Sequence, residues 1–227
     1  MGGRRSRPLV RRSGIRETMM LSYEQEAIDK MIIAQQVAAW GIHRDAGNWE
    51  PLREIWTEDG TIEVTWFKGT ADEFIDASKE LTENPNRQPF NQHLFCGSVI
   101  EINGNHAVSE ARGEVLIRLP CHGVMCDITS IVRFYDFFLK TSDGWKMKKR
   151  VGVFDKDMIA PMNYGEELKI DIDRLNSFPP AYRHIAYCLS QMGIEMNMHL
   201  PAPNSPEQRA LYEEGAAWLA AGNTSSS

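Results

Sequence analysis

The chain has 227 residues, 42% hydrophobic and 25% charged, a composition that fits a folded globular protein with one core and some additions. Its net charge of −6 is unevenly placed: residues 1–16 hold six arginines and no acid, leaving 19 basic residues (25 less 6) against 31 acidic ones. That acidic body excludes electrostatic attraction to nucleic acid, and the lack of any run of about 18 apolar residues argues against a membrane span.

The arginine-rich start is broken by Gly2, Gly3, Pro8 and Gly14 and reads as a disordered basic tail over residues 1–20. It lacks the apolar stretch of a secretory signal, so a cytoplasmic protein is expected. From the N-cap residue Ser22, Ile28, Met31, Ile32, Gln35, Ala38, Ala39 and Ile42 recur at helical spacing and predict one long amphipathic helix, whose stripe Asp45 continues. Gly47 ends it, and Trp49, Leu52, Ile55 and Trp56 give a shorter second helix. Asp59-Gly60 predicts a turn, after which Ile62, Val64 and Trp66 alternate as a short strand, and a third helix follows over residues 70–83.

Beyond a loop framed by Pro85 and Pro89 the hydrophobic period changes from 3.6 to 2. Four strands are predicted, over residues 90–102, 107–119, 128–139 and 145–154, with turns at Asn103-Gly104-Asn105, after Pro120 and at Ser142-Asp143-Gly144. On the second of them the small residues Ala107, Ser109, Ala111 and Gly113 leave a hollow at one end of the face continued by Val115, Ile117 and Leu119. Past Pro161, residues 182–192 and 206–221 read as two short helices. Helices followed by an antiparallel meander make an α+β fold.

Few residues in this pattern suit acid–base chemistry. Asp45, at the inward side of the first helix, is either a local helix-end cap or a carboxylate whose charge is used. His93 lies in a strand on the face of Phe95 and Val99, and reads as a core histidine unless a carboxylate fixes its tautomer and raises its basicity; Asp45 is the partner on offer. Arg150 has the parity of Lys146, Lys148, Gly152 and Phe154, which turns it to solvent unless a bulge redirects the strand. Histidine pairs at metal-ligand spacing, Gly-x-Gly-x-x-Gly and Gly-Lys-Ser/Thr are absent, so neither a metal nor an organic cofactor is expected. The four cysteines form no Cys-x-x-Cys pair and are expected to stay reduced.

The stretch Asp45-Ala-Gly-Asn-Trp-Glu-Pro-Leu-Arg-Glu-Ile-Trp56, then His93, then Trp145-Lys-Met-Lys-Lys-Arg-Val-Gly152 resembles, in order and spacing, the SnoaL-like family of the nuclear-transport-factor-like superfamily. Members include scytalone dehydratase and hexachlorocyclohexane dehydrochlorinase. The resemblance covers about residues 22–162 and implies a cone-shaped antiparallel curved sheet wrapped around N-terminal helices. On that reading residues 21–162 are the SnoaL-like domain, 163–222 a C-terminal helical extension and 223–227 a disordered tail. It also implies an Asp45–His93 dyad, with Arg150 reaching a pocket lined by Trp40, Ile62, Trp66, Phe90 and Tyr135, each of which also reads as ordinary core. Trp40 stands where the dehydrochlorinases have a lysine, so an aromatic wall replaces a cationic leaving-group stabiliser.

The resemblance further implies a cofactor-independent lyase that removes water, halide or formaldehyde from an aromatic or hydrophobic small molecule. Isomerisation or cyclisation of a ring compound, and a non-enzymatic ligand-binding or structural role, stay open beside it. A homotrimer is expected through the outer face of the sheet, for which Val132, Phe134 and Phe138 share a parity. The extension is expected to cover the pocket mouth or a neighbouring subunit through Tyr182, Ile185, Leu189, Leu211 and Trp218.

Overall fold

The structure is a computed structural model that describes residues 11–83 and 90–222, with side chains given for 22–83 and 91–222. The expectations for residues 1–10 and 223–227, and for the Pro85–Pro89 loop, lie outside the described residues. Helix α1 spans Arg11–Ala46, so it begins well ahead of Ser22, and α2 spans Trp49–Glu54. Strand β1 (Trp56–Val64) takes in both Trp56, read as helical, and Asp59-Gly60, read as a turn; the irregularity they cause is a register shift between Trp56 and Thr61. After β2 (Phe67–Thr70) and α3 (Ala71–Glu83) come four long strands: β3 (Phe90–Asn103), β4 (His106–Cys121), β5 (Val124–Thr141) and β6 (Gly144–Pro161). The extension contributes α4 (Ile172–Asn176), α5 (Arg183–Gln191) and α6 (Pro206–Ala221).

The six strands form one curved α+β sheet in the order β2-β1-β6-β5-β4-β3, not closed into a barrel. From β3 to β6 it is the expected antiparallel meander, but β1 joins β6 in parallel, because the chain crosses from β1 around β2, α3 and the whole meander before reaching β6. The inner, concave side holds the main core, where Ile33, Val37 and Trp40 of α1 meet Phe74 of α3 and Phe134, Phe138 and Trp145 of the sheet. A second cluster occupies the outer side: Val108, Tyr135, Phe137, Val151 and Val153 packed under Leu211 of α6.

Two expectations about facing are corrected. The buried stripe of α1 is Asp29, Ile33, Val37, Trp40 and Arg44, while Ile28, Met31, Ile32 and Ile42 are exposed. Apolar spacing alone picked the wrong side, since two members of the buried stripe are charged. Val132, Phe134 and Phe138 point into the core and cannot supply an outer interface; the outer parity of β5 belongs to Arg133, Tyr135 and Phe137. The extension divides its work: Tyr182, Ile185 and Leu189 close the concave side, while Leu211 and Trp218 cover the convex side of the same sheet.

Candidate active site

The site is built where α1 crosses β3. A Cβ on Gly41 would lie 3.2 Å from His93 Cβ and 2.7 Å from the Phe95 ring, so only glycine lets the helix approach this closely. One turn later the helix presents Asp45 to His93. Gly47, in the left-handed region at φ +69°, then stops the helix, and the Asn48 N–H returns to the His43 carbonyl at 2.9 Å.

Asp45 holds His93 at two points. Its Oδ2 accepts the His93 backbone N–H at 2.6 Å, and its Oδ1 accepts the ring Nδ1–H at 2.7 Å. With the proton on Nδ1, the lone pair sits on Nε2, which bonds to no described residue. Burial pushes the imidazole below its ordinary pKa; Asp45 draws it back up, and the positive charges of Arg44 and Arg150 push it further down. The result is an imidazole held in one orientation and disfavoured from taking up a second proton.

His93 opens on an inner chamber of about 40 Å³, walled by Trp40, Val64, Phe74, Phe134, Phe154 and Ile185, with Arg44, Asn91 and Thr65 as its other polar lining. Trp40 meets the imidazole edge-on, 5.2 Å between centroids. Arg44, Trp66, Asn91 and Ile117 also line an outer chamber of about 80 Å³, whose remaining walls include Leu81, Leu189, Met192 and Ile194. The extension therefore stands at the mouth. Among the described residues no three His, Cys, Asp or Glu side chains gather as a metal ligand set.

Arg150 is fully buried, against its strand parity. Lys148 is an extra residue in β6 between the pairs Phe138↔Met147 and Phe137↔Lys149, and this bulge switches the facing of the strand from there to Phe154, where a second bulge at Asp155 shifts it again. Arg150 then donates from Nε and Nη2 to the two oxygens of Asp136, both at 2.7 Å, and its guanidinium lies 4.4 Å from the Trp40 ring centroid. It stands behind the aromatic wall and does not line the chamber. Of the small β4 residues expected to leave a hollow, Ala107 and Ala111 are core and Ser109 lies beside this pair, its Oγ donating to Asp136 at 3.3 Å.

Of the expected lining, Trp40 and Trp66 face the cavity. Ile62 is core, paired alongside Arg150 in the sheet and absent from either chamber. Tyr135 is on the outer side under α6, because β5 alternates without a bulge between it and Phe134. The side chain of Phe90 lies outside the described residues. Val99 does not share the His93 face, since a bulge at Cys96-Gly97 reverses β3 and leaves Val99 exposed. Sequence reading missed Arg44, Asn91 and Asp136. Each had a signal: Arg44 is four residues after Trp40 on a helix, Asn91 two before His93 on a strand, and Asp136 sits between Phe134 and Phe138 at the same parity.

A wider depression of about 710 Å³ lies on the convex side, lined in part by Val99, Glu110, Arg133, Tyr135 and Tyr212. Within it Arg133 bonds Glu110, Asp155 and the Tyr212 hydroxyl at 2.8–2.9 Å. Among the described residues lining it there is no histidine, and the concave cavity, which holds the Asp45–His93 pair, is the candidate site.

Residues 25–151, more than half of the chain, match the SnoaL-like domain model. Pea pathogenicity protein 2 of Fusarium vanettenii is 27% identical over 204 residues, covering 85% of this chain and 86% of its own length. An uncharacterized protein of Aspergillus terreus is 32% identical over 194 residues, 77% of this chain and 70% of the relative. Among solved structures, an NTF2-like protein with a cystatin-like fold from Novosphingobium aromaticivorans is 22% identical, covering 60% of this chain and 87% of its own, with a TM-score of 0.47. The domain match, together with the Aspergillus relative, places this chain in the SnoaL-like domain family.

Proposed function

We propose that the chain is a cofactor-independent lyase acting on an aromatic or otherwise hydrophobic small molecule. The observation that carries this reading is the double hold of Asp45 on His93, which puts the ring proton on Nδ1 and leaves Nε2 as the acceptor of a residue that lines an aromatic-walled chamber. In the proposed step Nε2 takes a proton from a substrate carbon, the freed electron pair forms a double bond, and the leaving group departs with its own electron pair. Water or halide fits that balance; release of formaldehyde is the variant in which Nε2 takes the proton of a CH2–OH group, the O–H pair becomes the C=O of formaldehyde, and the pair of the broken carbon–carbon bond forms a double bond in the substrate as a group on the next carbon departs. Asp45 stabilises the imidazolium that forms. Arg150 acts here as a positioning residue, holding Trp40 and lending its charge from behind the wall.

The test is turnover of aromatic metabolites by purified protein with no added metal or cofactor, followed by mass spectrometry of the products. A product lighter than its substrate by the leaving group is expected, and His93→Ala should slow the chemical step by at least about a hundredfold. An unchanged mass would identify an isomerase or cyclase using the same base. Full activity in His93→Ala, or activity lost to a chelator, would overturn the mechanism, and tight binding without turnover would leave a ligand carrier.

A further inference from the structure

Four charged residues among those described are buried: Asp29, Arg44, Asp136 and Arg150. Three have partners. Asp29 accepts from Lys140 Nζ at 2.7 Å, and Asp136 and Arg150 hold each other. Arg44, only 7% exposed, makes no hydrogen bond or ion pair with any described residue, and its Nε is enclosed without a partner. The nearest countercharge acting on it, Asp45, already gives both carboxylate oxygens to His93. An unpaired buried charge is a costly thing for a fold to keep, so a use for it is to be looked for.

Its surroundings indicate the use. Arg44 lines both the inner chamber, with His93, Trp40 and Phe134, and the outer one. Asn91, on the same β3 face as His93, lines both chambers as well and has its Oδ1 buried without a partner. Donors without an acceptor and an acceptor without a donor thus face the two adjoining chambers, whose other polar lining is His93 and Thr65 in the inner one and Asp45 and Thr82 in the outer one. A guanidinium keeps its proton even when burial works against it, and its planar fork matches a carboxylate in two parallel hydrogen bonds.

We propose that Arg44 is a carboxylate-recognition residue and that the substrate is a ring-bearing carboxylic acid. Its carboxylate seats on Arg44 at the junction of the chambers, a hydroxyl or N–H donor on the same molecule meets Asn91 Oδ1, and the ring lies against Trp40 and Phe134 within reach of His93. This rests on the proposed function only in taking the His93 cavity as the binding site.

The experiment compares acids with their neutral amides: benzoate with benzamide, phenylacetate with phenylacetamide, and cinnamate with cinnamamide. Dissociation constants are measured near pH 7.5 by calorimetry or by quenching of Trp40 and Trp66 fluorescence. At least one acid should bind about tenfold or more tighter than its amide. Arg44→Met should abolish that preference by weakening the acid and sparing the amide, and Arg44→Lys should retain part of it. If no acid outbinds its amide in the unaltered protein, a comparison that needs no variant, the proposal is overturned. It is equally overturned if the preference survives in Arg44→Met. Acid-selective binding that depends on Arg44 in a protein that turns nothing over would keep this assignment and remove the lyase. Turnover of a neutral ring compound with no acid preference would do the reverse.

Discussion

At His93 two opposing effects set the working pH. Burial lowers the imidazole pKa from its ordinary 6.5, and the hydrogen bond and charge of Asp45 oppose that without overcoming it. The folded protein therefore resists protonating His93 at pH values where the unfolded chain already has. By linkage its contribution to stability is full above about pH 6.5 and is lost as pH falls through the folded value. A histidine-resolved NMR titration should place the His93 midpoint below 6.5, and Asp45→Asn, which removes the upward influence, should move it lower still. A midpoint at or above 6.5 in the unaltered protein would contradict this account. Asp45 and His93 were legible in the sequence because a carboxylate and an imidazole stood at family spacing on separate elements. Arg44 was not, because the apolar pattern of the helix pointed to Ile28, Met31, Ile32 and Ile42, and only the position of Trp40 one turn earlier marked the other side as inward.

The elements themselves were easier to read than their faces. Both late helices and the long strands of the meander fall where periodicity and turn residues put them, within a few residues in most cases. Facing fails wherever one residue is inserted, since alternation counted along one strand cannot register an extra residue that shows only against its partner strand. The Lys148 bulge is the consequential case: without it Arg150 would face the convex side beneath α6, and with it Arg150 meets Asp136 in a fully buried pair. Such a pair is destabilising to break and far less so to replace. Arg150→Met alone should cost about 3–5 kcal/mol in chemical denaturation, by leaving Asp136 buried and unpaired. The double variant Arg150→Met with Asp136→Leu should recover a large part of that loss. Additive losses would show that the guanidinium stabilises the fold mainly through Trp40 and Phe134, with the ion pair a minor contributor.

Over the whole molecule, the extension after β6 changes what the sheet offers to partners. The Fusarium relative aligns over 85% of this chain, a span that residues 1–162 alone could not supply, so the extension is partly shared with it. Helix α6 lies on the convex face through which a trimer was expected, and covers Val108, Tyr135, Phe137, Val151 and Val153. Its close docking depends on Gly215: a Cβ there would sit 2.8 Å from Cζ of Tyr135, nearer than packed atoms tolerate. Glycine inside a helix normally costs about 1 kcal/mol relative to alanine, a cost this fold accepts in exchange for contact with the sheet. Gly215→Val should therefore push α6 off Tyr135, destabilise the protein by about 1–3 kcal/mol, and expose an apolar face that drives self-association detectable by light scattering. The sheet separates that face from the His93 chamber, so ligand affinity in the monomeric fraction should hold. If Gly215→Val left both stability and oligomeric state unchanged, α6 would not be what keeps this face from pairing; if it abolished ligand binding while the fold persisted, the two sides of the sheet would be coupled, and the extension would belong to the site on both faces.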